Sequence, residues 1–194
     1  MIPALDLGFL VSGYLLIVAF FIVQRLLRRT ERAKSFHGGA YDKGNMLLIG
    51  SATGIGLILP LVLDAFGIVV LPVDLVGGLA AFSVMVLGVG LRVWAAITLG
   101  QYYTATLMMT EGQKLVTTGP YAWVRHPGYL GEILIWTGLG TLSSNLVAIA
   151  VLPVMFVVVL LYRISSEEKM LVKELGNEYV QYQRRTRRLI SFVY

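Results

Sequence analysis

Five apolar stretches, each bounded by polar residues, constrain this chain before any other feature does. Leu7–Leu27 carries Gln24 and Arg25 only at its end, and at 1.5 Å per residue it crosses a hydrocarbon core of roughly 30 Å. Asn45–Asp64 and Leu75–Leu99 repeat the pattern, the latter with Arg92 towards its far end. A fourth stretch, Pro127–Leu142, is short, about 24 Å as a helix. Leu142–Asn145, LSSN, reads as a tight turn into the fifth, Leu146–Ile164, so that the last two form a helical hairpin. Lipid offers backbone groups no partner, so spans of this length must be helices. Pro60, Pro153 and the glycines inside them are tolerable where neighbouring helices satisfy the freed groups. The expectation is an all-α integral membrane protein of about five transmembrane helices, one domain over residues 1–194.

Composition agrees: 57% of residues are hydrophobic and only 14% charged, against about 25% charged in soluble domains. The N-terminus lacks a basic start, carries Asp6 and runs into an apolar segment too long for a signal-peptide apolar region, so the first span reads as retained. Absence of cysteine excludes disulfides, thiolate metal sites and a cysteine nucleophile. With His37 and His126 the only histidines, no histidine-rich metal site is expected.

The 16 basic residues outnumber the 11 acidic ones, and their placement explains them without nucleic acid. With five spans, the basic loop Arg28–Lys43, the segment Gln101–Tyr129 and the tail Ser165–Tyr194 fall on one side. The connections Ala65–Asp74 and LSSN fall on the other, and neither contains Lys or Arg. The positive-inside rule makes the basic side cytoplasmic, with the N-terminus outside and the C-terminus inside.

Polar chemistry concentrates in Thr118–Gly140, TGPYAWVRHPGYLGEILIWTGLG, and polar residues this dense between apolar spans are costly unless they serve something. Proline pushes the residue before it out of the α region and suits the first helical position. His126 should therefore sit at the N-cap of the fourth helix, beside backbone N–H groups suited to a carboxylate or phosphate. Gly128 and Gly131 would let a flat ligand approach that first turn; equally, they would let helices pack closely. The Gly119-Pro120 turn brings Gln113–Val116 back towards the same helix start. Tyr121, Trp123 and Tyr129 suit either stacking on a planar ring or anchoring at the membrane interface.

A second constellation is Tyr162–Glu168, YRISSEE. Arg163 and Glu167 are four apart and share a helix face, in the order that is poorer for a simple stabilising pair. Either Ser165 and Glu168 form a capping box for a surface helix, or a carboxylate here holds ligand hydroxyl or amino groups while an arginine faces an anionic substrate. Leu171, Leu175, Tyr179 and Tyr182 have helical spacing for packing on the spans, and Gly176-Asn177 interrupts that helix. Arg184–Arg188 reads most simply as a lipid-headgroup contact, about 1 kcal/mol per basic residue.

GPYAWVRHPGYLG, followed by YRISSEE and LGNEYVQYQRRTRRLI, resembles the isoprenylcysteine carboxyl methyltransferases over roughly Gln113–Ile190. The resemblance implies S-adenosylmethionine-dependent methyl transfer to the carboxylate of a prenylated cysteine at the cytoplasmic side of the membrane, with S-adenosylhomocysteine as product. It puts the cofactor and catalytic region at about residues 101–190. Carried over by position, the cofactor contacts are Gln113, Lys114, Leu115, Val116, Tyr121, His126, Pro127, Gly128, Tyr129, Glu167 and its neighbour Glu168. Arg163 matches the substrate-positioning arginine, so Arg163 and Glu167 are the expected catalytic pair. Partners implied are the bilayer and a lipid-linked carboxylate, without metal or nucleic acid. The membrane would be the plasma membrane in a prokaryote and the endoplasmic reticulum in a eukaryote. Eukaryotic members have additional N-terminal spans, and Ser191 stands where the family often has proline.

Other functions remain open on the residues alone. A lipid-amine N-methyltransferase, acting for instance on phospholipid headgroups, would use the same cofactor but have less use for Arg163. A membrane NADPH-dependent reductase shares the short multi-span plan. A non-catalytic lipid-binding protein would leave the Gln113–Tyr129 block without a purpose.

Overall fold

Apolar periodicity and turn chemistry together account for where the helices begin and end. The computed structural model describes residues 4–28, 41–42, 44–110 and 112–189. Most of the basic loop with His37, as well as Glu111 and the tail from Ile190 onward, lies outside them. Six α-helices follow in order: α1 Ala4–Leu27, α2 Asn45–Ala65, α3 Leu75–Leu99, α4 Pro127–Leu142, α5 Leu146–Leu175 and α6 Asn177–Arg185. Short 3-10 turns occupy Gly100–Tyr102 and Gly119–Ala122. Asp74 caps α3, its Oδ1 accepting from the Gly77 N–H at 2.8 Å. Asn145 caps α5, accepting from the Val147 and Ala148 N–H groups. Both satisfy donors that a helix start otherwise leaves unpaired.

Among the described residues, four helices are long and apolar enough to cross a membrane: those carrying Leu7–Leu27, Asn45–Ala65, Leu75–Tyr102 and Leu146–Leu175. Their outer surfaces expose leucines such as Leu15, Leu26, Leu47 and Leu87, an arrangement suited to lipid rather than water. The fourth apolar stretch, α4, differs. It has only 16 residues, nine of them buried, and it lies inside the bundle rather than at its lipid face. Small residues permit this. A Cβ on Gly131 would come within 2.5 Å of the Gly88 carbonyl oxygen, and one on Gly138 within 2.8 Å of Ala81 O. Backbone thus meets backbone along the α3–α4 seam, the packing that membrane helices achieve with small residues.

On the other side of α4, the Trp136 ring stacks on Phe156 of α5 at 4.3 Å. Gly56 of α2 leaves room for the same indole, whose Cζ3 would lie 2.5 Å from an added Cβ. α1 closes the bundle through Phe9 against Gly78 and Ile17 in the core. The LSSN turn is present as expected. It is tied to the other short connection, Leu71 N–H donating to Ser144 O at 2.8 Å and Leu146 N–H to Val69 O at 3.2 Å.

One expectation fails at α5. The helix does not stop at Ile164 but runs unbroken to Leu175, so Ser165 and Glu168 lie mid-helix and form no capping box. Nothing between Ile164 and Leu175 breaks a helix; the stop comes at Gly176, whose φ of 58° suits only a residue without Cβ. α6 starts at Asn177, immediately after it.

Candidate active site

The bundle's polar end contains a cavity of about 370 Å³, within the roughly 300–1,000 Å³ range of pockets that bury a drug-sized ligand. It is built where the start of α4 meets the end of α5. Gly119, at φ 58°, and Pro120 make the turn that returns the chain towards α4. His126 is in a non-helical conformation (φ −127°, ψ 57°) and Pro127 is the first helical residue. The His126 imidazole does not cap the helix, because its Nε2 lies 3.3 Å from Glu168 Oε1.

Tyr129 joins the two helices. Its hydroxyl donates to Glu167 Oε2 and accepts from Arg163 Nε at 2.8 Å. Arg163, nearly fully buried, also donates through Nη2 to Ala105 O at 2.9 Å. Among the described residues its Nη1 has only the Met46 thioether, 3.9 Å away. The Tyr129 ring lies between two guanidiniums, 5.8 Å from that of Arg163 and 5.9 Å from that of Arg92, and stacks on His126. Arg92 in turn pairs with Glu132 at 3.0 Å and donates to Gly128 O at 2.9 Å, fixing the first turn of α4 against α3.

Ten of the residues expected in the site line this cavity: Gln113, Lys114, Leu115, Val116, Tyr121, His126, Gly128, Tyr129, Arg163 and Glu167. Pro127 does not line it and instead starts the helix. Glu168, expected beside Glu167 as a cofactor contact, is turned elsewhere. Successive helix residues point about 100° apart, and Glu168 is buried against Arg125 Nε at 2.7 Å, His126, and Arg188 Nη2 at 3.0 Å. Both of its oxygens are taken. Gln113 lines the cavity, but its Oε1 accepts from the Thr110 N–H at 2.9 Å.

The basic tail also differs from the expectation of a headgroup contact alone. Arg187 O accepts from the Arg125 N–H at 2.7 Å and Arg188 O from the His126 N–H at 3.0 Å. The tail thus runs alongside Val124–His126 as a short parallel bridge. Trp123, 65% exposed, packs edge-on to Trp94 at the periphery, the anchoring alternative rather than the stacking one. Gly131 serves helix packing, whereas Gly128 faces the cavity.

Several cavity residues were not marked by sequence spacing: Gln24, Arg92, Tyr103, Glu132, Tyr179 and Tyr182. A charge inside an apolar span is itself a signal, and Arg92 carried it. Tyr179 and Tyr182 have helical spacing, but α6 turns them onto the site. Burial pushes the Tyr182 phenol up to about 12 and raises those of Tyr121 and Tyr179 well above the ordinary value. All three therefore stay neutral and act as hydrogen-bonding groups. Tyr182 uses its proton on Tyr121 O at 2.6 Å.

The donor set suits a ligand bearing both charge and hydroxyls. A carboxylate (Glu167), a phenol (Tyr129) and an incompletely engaged guanidinium (Arg163) converge, and a glycine (Gly128) opens the helix start between them.

Residues 80–173 match the model of the isoprenylcysteine carboxyl methyltransferase (ICMT) family. An uncharacterized protein of Bacillus subtilis, YpbQ, is 34% identical over 80 residues, 41% of this chain and 48% of that protein. The protein-S-isoprenylcysteine O-methyltransferase of Schizosaccharomyces pombe is 32% identical over 103 residues, 46% of this chain and 44% of the relative. The chain thus spans about half the length of these curated relatives. The solved structure of a eukaryotic intramembrane Ras methyltransferase superposes with a TM-score of 0.70 at 19% identity, covering 100% of this chain and 70% of that one. At that identity the likeness is one of fold.

Proposed function

We propose that this chain, whose residues 80–173 match the model of the isoprenylcysteine carboxyl methyltransferase family, belongs to that family and methylates the carboxylate of a prenylated cysteine or a similar lipid-linked acid, using S-adenosylmethionine. One observation carries this reading above the others. Arg163 is buried and positioned through Nε and Nη2, yet Nη1 faces only a thioether on the cavity wall. A buried guanidinium held on two sides, with a further donor poorly used, suits a carboxylate. An amine acceptor would be repelled there.

The residues that would hold the cofactor are Gln113–Val116, Tyr121, His126, Gly128, Tyr129 and Glu167, with Pro127 setting the helix start. When bound, S-adenosylmethionine supplies an electrophilic methyl group on a sulfonium. No general base is required, because a carboxylate is already ionised near pH 7. Burial beside a bilayer would raise the acceptor's pKa, and Arg163 opposes that shift. Its task is to keep the acceptor anionic and aligned, while the closed bundle excludes water; proximity and orientation supply much of the barrier reduction. Tyr129 couples Arg163 to Glu167, so the acceptor and cofactor halves of one single-domain site are positioned together. The cavity end is assigned to the cytoplasm.

The deciding experiment is labelled methyl transfer by the purified protein to N-acetyl-S-farnesylcysteine, with phosphatidylethanolamine as the amine control. Base-labile methyl ester on the first alone is the expected result. Label on the second alone overturns the carboxylate reading. Calorimetry that detects NADPH but not S-adenosylhomocysteine overturns methyl transfer altogether.

A further inference from the structure

Gln24 is the one glutamine of α1 and lies near its polar end. It is 3% exposed, and neither its Nε2 nor its Oε1 has a hydrogen-bond partner among the described residues. It lines the cavity, as do Phe20, Phe21 and Tyr103. Nothing in the methyl-transfer chemistry above uses its carboxamide. A buried carboxamide with both ends unmet carries the full desolvation cost of a donor and an acceptor, and a ligand offering the complementary pair removes it.

The place of Gln24 in the cavity indicates which ligand. The wall from α1 and α2, with Phe20, Phe21, Ile49 and Gly50, is mostly apolar, and Met46 on that wall touches Arg163 Nη1. The expected cofactor contacts come from the Gln113–Val116 turn, the α4 start and α5 instead. Gln24 therefore belongs to the acceptor half. The acceptor's carboxylate is matched by Arg163, so the group that Gln24 meets is a second one. Resting on the carboxylate-methylation reading, we propose that Gln24 recognises an amide next to the acceptor's carboxylate, its Nε2 donating to the amide carbonyl and its Oε1 accepting from the amide N–H. A secondary amide has one donor and one acceptor, matching the two unmet atoms. A phospholipid ester has no donor and would leave Oε1 unmet. A simple isoprenoid or fatty acid offers neither group once its carboxylate is bound. The site is thus built for an acylated or peptide-linked amino acid, the terminus of a polypeptide being the natural case.

The test compares the full-length protein with Gln24→Met, which keeps side-chain length and removes the amide, and with Gln24→Ala should the longer side chain not be accommodated. Two acceptors are titrated by calorimetry in the presence of S-adenosylhomocysteine: N-acetyl-S-farnesylcysteine and the analogue whose acetamido group is replaced by hydrogen. The wild type should bind the amide-bearing acceptor about tenfold more tightly, the scale of one net hydrogen-bond pair. Gln24→Met should lose that preference, bind the amide-free analogue as the wild type does, and leave S-adenosylhomocysteine affinity unchanged. Equal affinity of the wild type for both acceptors, a preference retained in the variant, or weakened S-adenosylhomocysteine binding each overturns the proposal. Methyl transfer is followed in parallel. Binding preference without transfer to either acceptor sinks the methylation reading while sustaining the amide contact, and transfer without preference does the reverse.

Discussion

Tyr129 is the residue through which the site's two halves meet, and its phenol serves two partners with one oxygen. Tyr129→Phe keeps the ring between Arg92 and Arg163 but leaves Arg163 Nε without an acceptor and Glu167 without a donor. An unmet buried polar group costs about 1–3 kcal/mol. If that loss falls on the aligned state, kcat drops roughly 5- to 150-fold. Single-turnover methyl transfer checks this, with helical content by circular dichroism expected to be unchanged. Arg163→Ala is the sharper case. It should abolish turnover while S-adenosylhomocysteine affinity is largely spared, since the cofactor contacts proposed above come from other residues. Arg163→Lys should not rescue it, because an ammonium cannot reproduce the planar fork that reaches Tyr129 and Ala105 together. Wild-type turnover in either variant would remove Arg163 from the mechanism.

At the scale of elements, the two glycines in the first turns of α4 separate packing from binding. Gly131→Ala drives a Cβ into Gly88 O at 2.5 Å, backbone against backbone. The seam must open, at a cost of typically 1–3 kcal/mol for overpacking, so thermal unfolding in detergent should move down. Gly128→Ala meets only Arg92 Nη1 at 3.4 Å and Ala95 Cβ at 3.7 Å, ordinary contacts, and should leave the melting temperature close to wild type. The same contrast shows what was legible beforehand. The start of α4 followed from His126-Pro127, and its end from LSSN, because both rest on local backbone chemistry. That Arg163 and Glu167 share a helix face followed from their spacing of four, whereas their common partner Tyr129 did not. The clamp of Glu168 by Arg125 and Arg188 was not legible, because it joins segments about forty and twenty residues away, and no local periodicity reports a contact made by tertiary folding. For the same reason Arg92, visible as a charge in a span, showed that something met it but not that this was Glu132. The enclosure of α4 escaped too: its length sets it apart, but only the depth of the α3–α4 seam explains how a short helix is buried.

The whole molecule is polar at one end. Arg92, Lys114, Arg125, Arg163 and Lys173 accompany the cavity and the tail, whereas the connections around Pro72 and Ser144 contain no basic residue. Because α1, α2, α3 and α5 are each long enough to span and α4 is enclosed, the bundle can invert only as a unit, and one orientation decides the side on which the cavity opens. By the positive-inside rule the cavity end is expected on the cytoplasmic side. The chain has no cysteine, so single cysteines report without background. Pro72→Cys lies in the connection between α2 and α3, and Glu178→Cys on α6 at the cavity end; both positions are exposed. In intact cells a membrane-impermeant maleimide should label the first and reach the second only after permeabilisation. The reverse pattern would place the cavity outside, away from a cytosolic supply of S-adenosylmethionine, and would count against methyl transfer as strongly as against the topology.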